Sequence, residues 1–159
     1  MPKTVNLPLY DTFLKIFIEH KIINWQAKDF WEKVELDQLS RTRHCKRQMY
    51  AGLKILVRCE YLKIDLSKSS KKAFSYNESA RLDELRDSYK KQKLKPIFSM
   101  KKAEFLNEIS EKENNIQFIE SLLSTDKTLE KYFIIDKEKL ENDIKNIKSN
   151  IKFMDNIIN

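Results

Sequence analysis

The sequence predicts a mainly α-helical protein with one small β-hairpin and long C-terminal helices. Three observations lead there. Its 159 residues include one glycine, Gly52, and three prolines, Pro2, Pro8 and Pro96, too few turn formers for a β-sandwich or barrel. Apolar positions recur at helical spacing along most of the chain, whereas strict alternation holds convincingly in one stretch, Tyr61–Leu66. Apolar residues make up 41% against 35% charged, enough to build a core rather than a disordered chain.

Residues Leu9–Ile22 carry apolar side chains at 9, 13, 14, 16, 17 and 18, with Asp11 near the start and His20 and Lys21 at the end, charges that suit a helix dipole. Asn24 is placed to cap a short second helix, Gln26–Val34, whose Phe30, Trp31 and Val34 supply core. Glu35–Gln38 reads as a polar connection. A long helix is predicted from about Ser40 to Glu60. On it Cys45, Met49, Gly52, Leu53 and Leu56 share one sector, and Arg43, Arg47, Lys54 and Arg58 fall within about 60° on the opposite side. Gly52 lies on the packed side, where it allows close approach of another helix despite its low helix propensity.

The hairpin follows. Leu62, Ile64 and Leu66 face one way, Ser67–Ser70 reads as the turn, and Lys72–Tyr76 returns with Phe74 and Tyr76 on one side. Asn77 or Ser79 is placed to cap a helix running to about Leu94, stopped by Pro96. From Ser99 to about Ser124, Ala103, Leu106, Ile109, Ile116, Ile119 and Leu123 line one side, and Ser124–Lys127 is a break. Then Leu129, Phe133, Asp136, Leu140, Ile144, Ile147, Ile151, Met154 and Ile158 trace a near-heptad seam with Asp136 as a polar interruption. These helices are too narrow-faced for a globular core. They read as an antiparallel helical hairpin or as coiled-coil partners in a dimer, with Leu129, Phe133, Leu140, Ile144, Ile147, Ile151, Met154 and Ile158 as the dimerisation residues. The domains expected are 1–95 and 96–159.

Charge narrows the function. Ten basic and two acidic residues between Arg41 and Lys72 give that segment +8 of the chain's net +7, leaving −1 for the remainder. A concentrated cationic segment points to a polyanionic partner. One glycine cannot build a Walker or dinucleotide-binding loop. His20 and His44 lack a ligand cluster at metal spacing, and no nucleophile–base or paired-carboxylate constellation stands out. The expectation is therefore a protein without catalytic residues, metal or cofactor. No run of about 18 apolar residues indicates a membrane span, and Met1–Asn6 lacks the pattern of a signal peptide. Cys45 and Cys59 on one helix would lie roughly 21 Å apart, too far for a bridge, so both read as small packed side chains in a reducing cytoplasm.

The order helix, short helix, turn, long basic helix, hairpin resembles the winged helix-turn-helix transcriptional regulators of the MarR-like and PadR-like kind. Ser40-Arg41-Thr42-Arg43, Leu53-Lys54-Ile55-Leu56, Glu60-Tyr61-Leu62 and Lys71-Lys72-Ala73-Phe74-Ser75-Tyr76 carry the resemblance over about 70 residues. Glu60 stands where the family usually has a glycine, and the C-terminal helices are similar in role to the PadR-like dimerising helices. The resemblance implies a winged helix-turn-helix domain followed by a dimerisation region. It also implies sequence-specific binding of double-stranded DNA by a homodimer in the cytoplasm, associated with the nucleoid. A helix entering the major groove offers Ser40, Thr42, Arg43, His44 and Arg47 to base edges. Arg43 and Arg47 are the expected base readers, Arg41 and Lys46 the flanking phosphate contacts, and Lys68, Lys71 and Lys72 the tip of the basic wing. A cationic stripe also describes an ordinary solvated helix face; the basic hairpin just downstream favours the nucleic-acid reading. Trp25, Phe30 and Trp31 read as core, with an effector pocket as the alternative. Two competing functions remain open: a protein-interaction adaptor working through the C-terminal helices, and a plasmid or phage replication or partition factor. The regulator reading also leaves room for a regulatory protein partner or a small-molecule effector.

Overall fold

Residues 6–37 and 39–159 are described by the computed structural model. Most of the Met1–Asn6 segment and Gln38 of the predicted Glu35–Gln38 connection lie outside them. The described order is α1 (Tyr10–Glu19), α2 (Ala27–Lys33), α3 (Arg43–Arg58), β1 (Leu62–Ile64), β2 (Tyr76–Glu78), α4 (Ala80–Thr125), a 3-10 turn (Lys127–Leu129) and α5 (Glu130–Ile158). The protein is thus mainly helical with one small antiparallel hairpin. The chain divides into two compact units, one reaching Tyr89 and one running Lys90–Asn159, a boundary slightly earlier than the expected 95/96.

In the N-terminal unit α1, α2 and α3 bury Phe13, Phe17, Phe30, Met49, Leu53 and Leu56 together with Leu62 of β1 and Leu82 of α4. Phe30 is the centre of an aromatic group, with ring centroids 5.0 Å from Trp25, 5.8 Å from Tyr76 and 6.3 Å from Phe13. Gly52 does what its position predicts: a Cβ there would stand 2.5 Å from Phe13 Cε2 and 3.2 Å from the Pro8 carbonyl oxygen. The Phe13 ring of α1 can lie against α3 at that point because Gly52 carries no side chain.

The caps differ from expectation in two places. The second helix is capped by Gln26, whose backbone amide donates to Asp29 Oδ2 in a capping box. Asn24 instead sits in the left-handed region at φ 54, which asparagine tolerates, and its amide donates to Asn77 Oδ1. The third helix begins at Arg43, with Thr42 Oγ1 accepting from the Cys45 amide. Ser40 lies in the preceding turn, where its amide donates to Asp37 Oδ1. A side chain that satisfies the backbone locally stops the helix from extending backwards.

The third helix ends in a Schellman motif, with the Tyr61 amide on the Leu56 carbonyl and the Glu60 amide on the Val57 carbonyl. This motif needs a left-handed residue, and Glu60 supplies it at φ 63. The turn that a glycine normally makes is therefore formed, against a conformational cost of about 1–2 kcal/mol. Ser79 Oγ donates to the Glu60 carbonyl and accepts from the Arg81 amide, so Ser79 rather than Asn77 opens α4.

The hairpin is shorter and later than predicted. Its register is Leu62↔Glu78, Lys63↔Asn77 and Ile64↔Tyr76, and Tyr76 also forms an antiparallel bridge with Trp25. Leu62 is buried, but Leu66 and Phe74 are exposed. Residues between the strands are held by serine side chains. Ser69 Oγ donates to the Asp65 carbonyl and accepts from the Ser75 amide, while Ser70 Oγ accepts from the Ala73 amide. These bonds replace ladder pairing, which is why the expected 72–76 strand does not form.

One clasp joins the elements of this unit. Arg86 donates to both carboxylate oxygens of Glu78, at 2.9 and 2.7 Å, and to the carbonyls of Phe17 and His20 at the end of α1. Glu78 Oε2 also accepts from the Ile22 amide. Burial would raise the Glu78 carboxyl, but the Arg86 hydrogen bond, the Ile22 amide and the charges of Arg86 and Lys21 hold it below its ordinary 4.5.

Pro96 lies inside α4 instead of ending a helix at Leu94. Its missing N–H leaves the Gln92 carbonyl without a ladder partner. Both residues are exposed. In the C-terminal unit Phe105, Ile109 and Ile116 of α4 pack with Ile144, Ile147 and Ile151 of α5. The pairing is an antiparallel hairpin within one chain, tied across by Lys102–Asp155, Lys112–Asp143 and Lys137–Glu120 ion pairs at 3.0, 3.3 and 3.2 Å. Two seam positions shift. Phe105, not Ala103 or Leu106, faces inward on α4, and Lys137 rather than Asp136 occupies the seam of α5. With that exchange Phe133, Lys137, Leu140, Ile144, Ile147, Ile151, Met154 and Ile158 follow an unbroken heptad. Leu129 is half-buried in the 3-10 turn that precedes them. Of the residues expected to join two chains, Ile144, Ile147 and Ile151 pack against α4 of their own chain. Among the described residues, no helix is long and apolar enough to cross a membrane.

Candidate nucleic-acid interface

Helix α3 sets the site because its two faces are chemically opposite. Met49, Gly52, Leu53 and Leu56 are buried, and Cys45 is half-buried on the same side. Arg43, Arg47, Lys54 and Arg58 are all exposed, a stripe of four cations whose orientation is fixed by the core behind it. His44 and Lys46 flank the stripe, both exposed, with Lys46 Nζ 6.0 Å from the Trp31 ring. Ser40 and Thr42 are exposed just ahead of the helix. Hydrogen bonds from Ser40, side chain before backbone, hold the Asp37 carboxyl below its usual range.

Arg41 belongs elsewhere. Its guanidinium lies 4.4 Å from the Trp31 ring centroid and donates to the carbonyls of Val34 and Trp31 at 2.8 and 2.9 Å. Those carbonyls end α2, so Arg41 closes the α2–α3 connection as a positive charge at a helix C-terminus. The residue expected as a phosphate contact is thus engaged with the end of α2. The sequence could not separate the two roles, because an arginine beside a stripe looks the same whichever way it turns.

The cationic loop between β1 and β2 comes up beside this stripe. A groove of about 440 Å³ opens between the N-terminal end of α2, α3 and the loop. Lys28, Tyr50, Lys54, Lys72, Phe74 and Tyr76 give it its chemistry. Among the described residues, none that lines it is acidic. Lys71 is exposed next to Lys72, whereas Lys68 Nζ donates to Asn24 Oδ1 at 3.2 Å. The rings of Phe74 and Tyr76 meet edge to face at 6.5 Å. Burial first, and then the neighbouring Tyr50, raise the Tyr76 phenol above its ordinary value. That phenol stays neutral through the physiological range.

Three residues of the groove escaped sequence reasoning: Lys28, Tyr50 and Phe74. The signal for Tyr50 was present, since it stands three residues after Arg47 and four before Lys54, in the middle of the cationic face. Phe74 read as a strand residue on the same side as Tyr76, but it lies ahead of β2 and is exposed. Lys28 has no sequence signal that relates it to the hairpin. Trp25 and Trp31 are half-buried against the core, and neither lines this groove. Among the described residues, no group of three His, Cys, Asp or Glu is placed to hold a metal ion. Both cysteines are free and half-buried. Compared with family models, with curated proteins and with solved structures, the chain matches none.

Proposed function

We propose that the N-terminal unit is a winged helix-turn-helix that binds double-stranded DNA, with α3 in the major groove and the β1–β2 loop as its wing. The observation that carries this reading is that an exposed cation of α3, Lys54, and one of the loop, Lys72, border the same groove. A duplex laid on α3 thus meets Arg43 and Arg47 at base edges and Lys54, Arg58, Lys71 and Lys72 along phosphates. Arginine pairing to guanine is worth about 1–3 kcal/mol of discrimination. Arg41 takes no part, and Lys68 positions the wing through Asn24.

In the same reading the protein acts as a homodimeric sequence-specific regulator on half-sites about 34–36 Å apart. Since Ile144, Ile147 and Ile151 of the α5 seam pack within their own chain, the contact between chains falls to outward apolar side chains of the C-terminal unit. Phe118, Tyr132, Ile135 and Phe153 are each more than half exposed. The same four side chains also suit a different protein partner, which is the adaptor reading.

Selection of bound fragments from a genomic pool, followed by anisotropy titrations, tests the proposal. The expected result is one enriched palindromic motif. Its affinity should fall roughly 10³-fold between about 50 and 200 mM salt if about six phosphates are contacted. Arg43→Ala with Arg47→Ala should abolish the motif preference. Equal enrichment of all sequences would remove the regulator reading. Sedimentation that finds a monomer at all concentrations would favour the adaptor.

A further inference from the structure

The groove beside α3 carries aromatic side chains that duplex binding does not use. Phosphates along a duplex need cations, but they have no use for a ring. Here Tyr50 and Phe74 are 45% and 51% exposed, two half-open rings on the walls of one groove. Both line a cavity of about 440 Å³, within the range of sites that enclose small organic groups. Tyr76 closes its inner wall, and Lys28, Lys54 and Lys72 stand around it.

Aromatic faces with cations beside them, and no acidic side chain among the described lining residues, match a flat ring attached to an anion. A base inside a duplex cannot use such a site, because its two faces are already stacked. We propose that this groove binds an unpaired nucleobase together with its flanking phosphate, the chemistry offered by single-stranded nucleic acid and by a free nucleotide. The base enters among Tyr50, Phe74 and Tyr76, and Lys28, Lys54 and Lys72 neutralise the phosphate. The same logic underlies single-strand binding grooves, where stacking tolerates any base and cations follow the backbone. The inference goes beyond the duplex reading: it shares Lys54 and Lys72 with it, but Arg43 and Arg47 do not line the groove.

The test uses the full chain and three probes in titration: a short oligothymidylate, an abasic strand of the same length, and thymidine monophosphate. Oligothymidylate should bind at least about tenfold more tightly than the abasic strand, as expected where base stacking adds to phosphate contact. Tyr50→Ala and Phe74→Ala should each weaken it by about 5- to 150-fold, the conversion of about 1–3 kcal/mol per stacked base. Tyr50→Phe, which keeps the ring, should stay close to the parent. Both side chains are half exposed, so the melting temperature should hardly move, and circular dichroism checks that it does not. Displacement of the strand by thymidine monophosphate supports the free nucleotide as source, and binding without displacement supports the strand. Equal affinity for oligothymidylate and the abasic strand would overturn the proposal, as would unchanged binding in both alanine variants. Arg43→Ala with Arg47→Ala separates the two readings: it should remove duplex selectivity and leave oligothymidylate binding within about twofold.

Discussion

The two units of this chain are held together by different physics. The N-terminal unit closes a core in three dimensions, with Phe17, Phe30, Met49, Leu53 and Leu82 fully covered. Its irregular connections are pinned by side chains such as Arg86, Arg41 and Ser79. The C-terminal unit has one seam between two helices, and even its central residues Ile109, Ile144 and Ile147 keep 7–8% of their surface. It replaces further apolar burial with ion pairs across the seam. The lesson is that a site requiring fixed side-chain positions belongs on the first kind of unit. A narrow helical pair presents surface, whereas a closed core aims residues.

The comparison breaks most sharply at Arg86. Arg86→Ala strips the mostly covered Glu78 carboxylate of its partner and frees two carbonyls at the end of α1, so a loss of about 3–5 kcal/mol is expected. Hydrogen exchange should show it as faster exchange in α1 to α3 and unchanged protection around Ile144. Because Glu78 lies below its ordinary value, the stability contributed by its ionised form is fully present above about pH 4.5 and is lost as pH falls through the lower folded value. Urea midpoints measured down that limb should fall less steeply for Glu78→Gln than for the parent protein.

Ile144→Ala tests the other unit. A loss of about 2–4 kcal/mol is expected, toward the low end because a two-helix seam can partly collapse around the gap. The exchange pattern should invert, with α5 losing protection and the α1–α3 core keeping it. Loss of protection in both units at once would mean that they unfold as one, and the contrast would fail.

Glu60→Gly should stabilise the N-terminal unit by roughly 1 kcal/mol, the left-handed penalty less the greater freedom of glycine in the unfolded chain. A rise in melting temperature checks it. The smallest effect is expected at the seam ion pairs. Asp143→Asn should cost at most about 1 kcal/mol, and added salt should erase the difference from the parent protein. A larger, salt-insensitive loss would show that these pairs carry the hairpin rather than decorate it.

Much of this was readable in advance, for local reasons. Helical periodicity and one glycine specify the helices, and a heptad locates α5 to within one misplaced residue, Asp136 for Lys137. The opposed faces of α3 follow from 100° per residue, and Gly52 against Phe13 follows from its place on the packed face. What was misread depends on partners distant in sequence. Pro96 ends a helix by local rules but is carried through α4 at an exposed position. The late start of β2 reflects Tyr76 pairing with Trp25 and serine side chains taking over the loop.

The sequence by itself determined that the protein is helical, that its positive charge gathers on one helix and one hairpin, and that the C-terminal helices share an apolar seam. Periodicity and composition are properties of neighbours in the chain, so no tertiary knowledge was needed for these. Only the tertiary structure decided that Arg41 turns inward and that Arg86 and Glu78 clasp the first unit. It also decided that Ile144, Ile147 and Ile151 of α5 pack against α4, and that Tyr50 and Phe74 stand with Lys28, Lys54 and Lys72 around one groove. Each of these is a choice among partners tens of residues apart, settled by which arrangement leaves the fewest buried polar groups unpaired.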